Sequence, residues 1–146
     1  MLPVDHRDKG FTLIEVIAVL VIIAIIAAVA ISRSSSNNTI SVTSEAATLK
    51  TNLSFAQIKA LAETTTWGIQ VNSTSYQLLN NELPAPINLP AELSNTHTFS
   101  GGVTATPITI TFDNFGNPGA ANISITLTSG SQTAVVNITN TTGFIQ

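Results

Sequence analysis

Three patterns of apolar and polar positions follow one another along the chain, and each predicts a different element. Residues 11–31 are apolar almost throughout: Leu, Ile, Val and Ala dominate, Glu15 is the only charge, and neither Gly nor Pro interrupts. These 21 residues would form a helix about 31 Å long at ~1.5 Å per residue, close to the thickness of a bilayer's hydrocarbon core. Residues 41–63 then carry a helical stripe. Val42, Ala46, Leu49, Leu53, Ala56 and Ala60 recur at spacings of 4, 3, 4, 3 and 4, which predicts an amphipathic helix lying on a sheet. Phe55, Ile58 and Leu61 are expected to widen that face, with Lys50, Lys59 and Glu63 solvated. Residues 32–38 between the two patterns include a Ser-Ser-Ser-Asn-Asn run of poor helix propensity. They fit either a hinge or a solvated length of helix, and the second reading is preferred.

From Trp67 the pattern becomes that of short strands. Residues 67–71 and 76–79 flank Asn72-Ser73-Thr74-Ser75, a hairpin turn. Residues 82–90 hold three prolines and are expected to be a loop. Residues 96–99 and 103–104 are expected to form one strand broken at Gly101-Gly102. Ile108, Ile110 and Phe112 alternate with Thr109 and Thr111, a half-buried strand. Residues 113–119 have turn chemistry. Ile123, Ile125 and Leu127 alternate again, residues 129–132 turn, and a strand follows at 134–139. A last short strand is expected at 143–145. The predicted class is α+β: a long N-terminal helix, part membrane-length and part amphipathic, packed on an antiparallel β head.

Composition narrows the chemistry. Net charge is −3 and only 9% of residues are charged, so a broad basic surface for nucleic acid is excluded. There is no cysteine, which removes disulfides, thiolate metal sites and cysteine nucleophiles. About 110 residues remain outside the apolar run, enough for one small domain.

The acid in the apolar run is the strongest functional signal, because a carboxylate in lipid is costly and by default seeks a partner. The preceding residues, 1–10, are short and polar. Arg7 and Lys9 favour a cytoplasmic N-terminus, Asp5 and Asp8 dilute that signal, and Arg33 weakly opposes it. A secretory signal peptide has a shorter apolar core and a small-residue cleavage site after it. A plain signal anchor explains the length but not Glu15. A leader cut before the apolar run explains both.

Lys9-Gly10-Phe11-Thr12-Leu13-Ile14-Glu15-Val16 resembles the processing motif of type IV pilins and of the pseudopilins of type II secretion. The resemblance implies cleavage by prepilin peptidase between Gly10 and Phe11, N-methylation of Phe11, and assembly through Glu15 and Thr12. It divides the chain into a leader (1–10), a transmembrane and filament-core helix (11–31), a neck and amphipathic helix (32–63) and a β-rich head (64–146). It further implies a single-pass inner-membrane protein with a cytoplasmic leader and a periplasmic or extracellular head. Its partners would be the lipid bilayer first, then sister pilin or pseudopilin subunits and an inner-membrane assembly platform. No cofactor is implied, and the chain is not expected to be an enzyme.

Glycine lacks a Cβ, so a protease can approach Gly10 closely. Once cut, the chain presents a cation at Phe11, and Glu15 of one subunit can pair with a neighbour's amine. Two departures from major pilins stand out: Ser32 where many have Pro, and Ala24 where many have Gly. Both favour a continuous helix. The head is loosely similar to minor subunits typified by FimT and GspH, on 49–62, the strand at Trp67, Ile110-Thr111-Phe112 before Gly116, and Gly143. That similarity implies a low-copy, initiating or tip subunit. A major pilin, or a membrane-anchored adhesion or DNA-binding module, is the alternative.

Other candidate chemistry is thin. His97 is the one histidine after Gly10 and is expected at a surface or strand edge. Asp113, Asn114 and Asn117 offer oxygens in one loop, a weak calcium candidate without EF-hand spacing; turn residues are the preferred reading. Asn-x-Ser/Thr triplets at Asn37, Asn52, Asn72, Asn122, Asn137 and Asn140 arise readily in so Asn- and Thr-rich a chain. After Gly10 the only cations are Arg33, Lys50 and Lys59, too few to cluster on phosphates, so DNA binding is not expected.

Overall fold

The computed structural model describes the backbone of residues 11–146 and the side chains of residues 11–29 and 38–146. The chain divides into two compact units, Met1–Ser34 and Ser35–Gln146. Helix α1, Leu13–Ala62, supplies the described structure of the first and the helical layer of the second. The helix passes through Ala24 and through residues 32–38, in line with the absence of Gly and Pro.

In the second unit, helix and strands share one core. All six stripe residues, Val42, Ala46, Leu49, Leu53, Ala56 and Ala60, are buried. Phe55 packs partly against the core, but Ile58 and Leu61 are exposed, contrary to the expected wider face. At ~100° per residue, Ile58 lies about 200° around the helix from Ala56, on the far side. Glu45 and Asn52, both buried polar residues, occupy positions along the stripe instead.

The strands form two antiparallel sheets. The first joins β1 (Trp67–Val71), β2 (Ser75–Asn80), β3 (Leu83–Pro84), β4 (Thr96–Thr98) and β6 (Ile108–Phe112). β1 lies between β2 and β6, while β3 and β4 both pair with β2. The second sheet has the order β5 (Thr104–Ala105), β7 (Ile123–Ser129), β8 (Gln132–Ile138). Ile69, Leu78, Ile110, Phe112, Ile125, Leu127, Val136 and Ile138 meet the helical stripe in a single apolar cluster.

Three expectations need correction. Residues 96–99 and 103–104 do not make one broken strand: β4 belongs to the first sheet and β5 to the second. Gly101 and Gly102 both have positive φ, 59° and 67°, a backbone turn that redirects the chain between sheets. The 82–90 segment is not loop throughout, because Leu83 and Pro84 pair with Asn80 and Leu79. Asn81 and Glu82 form the two-residue connection, both with positive φ, as a type I′ hairpin requires. The expected terminal strand is a single bridge between Ile145 and Ile138.

Polar contacts secure the helix to the sheets. Lys59 pairs with Glu63 at 2.7 Å, and the Trp67 indole N–H donates to Glu63 at 3.0 Å, so the end of α1 is tied to the start of β1. Gln57 donates to the carbonyls of Gly116 and Gly143, each at 3.0 Å, holding two loops on the helix. Asn52 donates to the buried Tyr76 hydroxyl oxygen at 2.7 Å. Tyr76→Phe would leave that buried amide without its partner. A loss of about 1–3 kcal/mol is expected, read as a lower denaturation midpoint; an unchanged midpoint would show the bond to be energetically silent.

Candidate functional site

The site predicted from sequence lies at the start of α1. Thr12 precedes the helix and caps it: the Glu15 backbone N–H reaches the Thr12 hydroxyl oxygen at 3.3 Å and its carbonyl at 3.1 Å. The order Thr12-x-x-Glu15 is that of a capping box, and it places Glu15 in the first turn. That first turn is the positive end of the helix dipole. Glu15 is exposed, and among the described residues no cation meets it. Phe11, two residues before the helix, is 81% exposed. Gly10 lies outside the described residues.

From Val16 to Val29 the helix is apolar on every side. The twelve Leu, Ile and Val side chains between Leu13 and Val29 are 47–79% exposed. A helix apolar all round belongs in lipid or among other helices, not in water. Burying what these side chains expose is worth on the order of 10–20 kcal/mol at ~25 cal/mol per Å². One carboxylate near a helix end costs a few kcal/mol in lipid, so burial of the helix wins. Among the described residues no helix is long and apolar enough to cross a membrane. The described apolar side chains stop at Val29, and the expected span runs to Ile31.

The loop candidate resolves into turn structure. Asp113 accepts the N–H groups of Phe115 and Asn117, both at 2.9 Å on one carboxylate oxygen, so the loop is folded around its acid. No group of three or more His, Asp or Glu side chains among the described residues is placed to hold a metal ion. Of the Asn triplets, Asn52 is buried, and Asn122, Asn137 and Asn140 hydrogen-bond within the head.

A second polar site was not expected. His97 is on the edge strand β4, but its ring is half-buried between two acids. Nδ1 lies 2.6 Å from Glu92 and Nε2 lies 2.8 Å from Glu45. Glu45 also accepts the Ser100 N–H at 2.9 Å and its hydroxyl at 2.5 Å. The imidazole stacks on Tyr76 with ring centroids 4.9 Å apart. The available signal was a polar residue, Glu45, three positions after Val42 on a stripe that had to be buried. Its partners are 52 and 55 residues away in sequence, beyond any local pattern.

Residues 5–31 match the family described as the prokaryotic N-terminal methylation motif. No curated protein and no solved structure matches the chain. The matched segment contains every residue of the first site, from Gly10 to Glu15, and ends where the apolar run ends.

Proposed function

We propose, from a chain that carries the N-terminal methylation motif of type IV pilins and pseudopilins, that it is a structural subunit of a type IV pilus or type II secretion pseudopilus. The family of that motif is structural rather than enzymatic. The carrying observation is the combination of this motif with a helix whose apolar side chains are exposed all round while a separate unit buries its own core. The apolar side chains of residues 13–29 are exposed among the described residues, and the solvent proposed for them is lipid first, then sister helices.

In this reading, prepilin peptidase cuts between Gly10 and Phe11 on the cytoplasmic side of the inner membrane, and the Phe11 amine is methylated. The head stands on the opposite side. An assembly platform then draws the helix from lipid into a filament, where Leu, Ile and Val contacts with neighbours replace acyl chains. Glu15 of one subunit meets the Phe11 amine of another, which sets axial register. The absence of Pro at Ser32 and of Gly at Ala24 leaves the helix without built-in melting points. It supports a minor subunit, placed at initiation or at the tip, over a major pilin.

Gly10→Val tests the first step. The added β-branched side chain blocks close approach of a protease to the backbone, so an uncut precursor should accumulate. Mass spectrometry of the variant should find an intact residue 1–10 segment; detection of an N-terminal methylated Phe11 would contradict the assigned cut.

A further inference from the structure

We propose that Glu45, His97 and Glu92 form a proton-held latch that fastens the 92–100 segment of the head to helix α1. The argument begins with donors and acceptors. Both ring nitrogens of His97 lie within 2.8 Å of a carboxylate oxygen. An ionised carboxylate only accepts, and a neutral imidazole has only one N–H to give. With His97 neutral and both acids ionised, one ring lone pair would face a carboxylate oxygen at hydrogen-bond distance. The arrangement is satisfied only if the cluster holds one further proton, and an imidazolium supplies it to both acids at once.

The surroundings fix where that proton resides. Glu45 is buried on α1. Burial alone would raise its pKa, but the hydroxyl and N–H of Ser100 and the bond to His97 together hold it below its ordinary value near 4.5. Burial of His97 would lower its own pKa, but hydrogen bonds to Glu92 and Glu45 outweigh it, and the ring is held above its ordinary value near 6.5. From β2, Tyr76 stacks against the ring and stays neutral, its phenol pushed up by burial. Phe99 meets the ring edge-on. The groups facing the imidazole are therefore two acids, from α1 and from the segment before β4, and two neutral aromatic rings.

The latch adds a tie to the helix for a segment that backbone bonds already hold to its neighbours, Leu78 N–H to the Asn95 carbonyl at 2.8 Å and Phe99 N–H to the Thr74 carbonyl at 2.9 Å. β4 pairs with β2 over three residues, Thr96 to Thr98, and Glu92 lies in a turn stabilised by its N–H to Leu89. Through His97, Glu92 and β4 are both connected to Glu45 on the helix. The pH dependence follows in sign. A raised imidazole value makes the stabilisation complete below about pH 6.5 and removes it as pH rises through the raised value. The lowered Glu45 value makes its share present above about pH 4.5 and removes it as pH falls through the lowered value. The segment is held most firmly between those limits and loosens in alkali.

The test uses the full chain in detergent micelles with His6→Gln, which leaves His97 as the single imidazole. Nitrogen NMR of that ring at pH 6 should show both nitrogens protonated. The Ser100 amide, which donates to Glu45, should lose protection against hydrogen exchange several-fold between pH 6 and pH 9, after correction for the intrinsic base dependence. Glu92→Gln should move the imidazole titration to lower pH without unfolding the head. A ring carrying one proton at pH 6, or Ser100 protection that does not change with pH, would overturn the latch.

Discussion

Glu15→Val is expected to remove the chain from assembled filaments while leaving membrane insertion and leader cleavage intact. The substitution makes the first turn of α1 fully apolar, so transfer of the helix into lipid becomes easier, not harder. The proposed cleavage falls between Gly10 and Phe11, which precede the changed position. The loss falls on assembly. In the proposed filament core of Leu, Ile and Val, the Phe11 amine of one subunit would need a counter-charge, and Glu15 is the only acid between residues 11 and 31. Breaking one partner out of a buried ion pair leaves the other charge uncompensated, at about 3–5 kcal/mol. That is a drop of roughly 100-fold or more in the equilibrium for each subunit added. Immunoblots of sheared filaments and of membranes would separate the steps. Expected are a processed band in the membrane and almost none in filaments; wild-type incorporation would refute the pairing role. Glu15→Gln should fail in the same way, because it keeps the shape and the capping position but not the charge.

The helical half of the molecule was legible because its signals are local. The 4, 3, 4, 3, 4 spacing of Val42 to Ala60 identified the buried stripe residue by residue, and the apolar run with one acid lies in the segment that matches the methylation motif. Errors arose where burial is decided by distant residues. Ile58 and Leu61 are apolar but fall outside the arc that the sheets cover. Glu45 and Asn52 are polar but lie within that arc, each three positions after an apolar stripe residue. Such residues must have buried partners, and this much could have been inferred. That the partners would be His97, Ser100 and Tyr76 depends on how β2 and β4 are brought to the helix, which no local period encodes. The hairpin at Asn81-Glu82 was hidden for a different reason. Glutamate seldom adopts positive φ, so the second turn position lacked its usual glycine, and three nearby prolines suggested irregular chain. At Gly101-Gly102 the glycines were visible, but their effect, a change of sheet rather than an interruption of a strand, depends on the destination of the chain after them.

Gly68→Ala is expected to destabilise the head by about 3 kcal/mol, the upper end of what overpacking costs. Two effects oppose each other at this position. Glycine inside a strand is entropically unfavourable, and a compatible alanine would stabilise by about 0.5–1 kcal/mol. Here the steric term is larger. A Cβ on Gly68 would lie 2.1 Å from the carbonyl oxygen of Ile110 and 2.9 Å from the Thr111 Cα. Both are backbone atoms of β6, and no rotamer change can move them away. β1 pairs with β2 on one side and β6 on the other, so a displacement at Gly68 disturbs both ladders together. It also moves Trp67, whose indole is bonded to Glu63 at the end of α1, and Ile69 in the core. A loss of this size is a large share of the roughly 5–15 kcal/mol that holds a domain folded. Chemical denaturation of the variant in micelles would measure it, and a midpoint equal to or above that of the parent chain would show that the backbone of β6 yields freely. The proposed cleavage after Gly10 lies outside the head's sheet, so the variant is expected still to be processed. A processed chain that then fails to accumulate would place the defect in the fold of the head rather than in recognition of the motif.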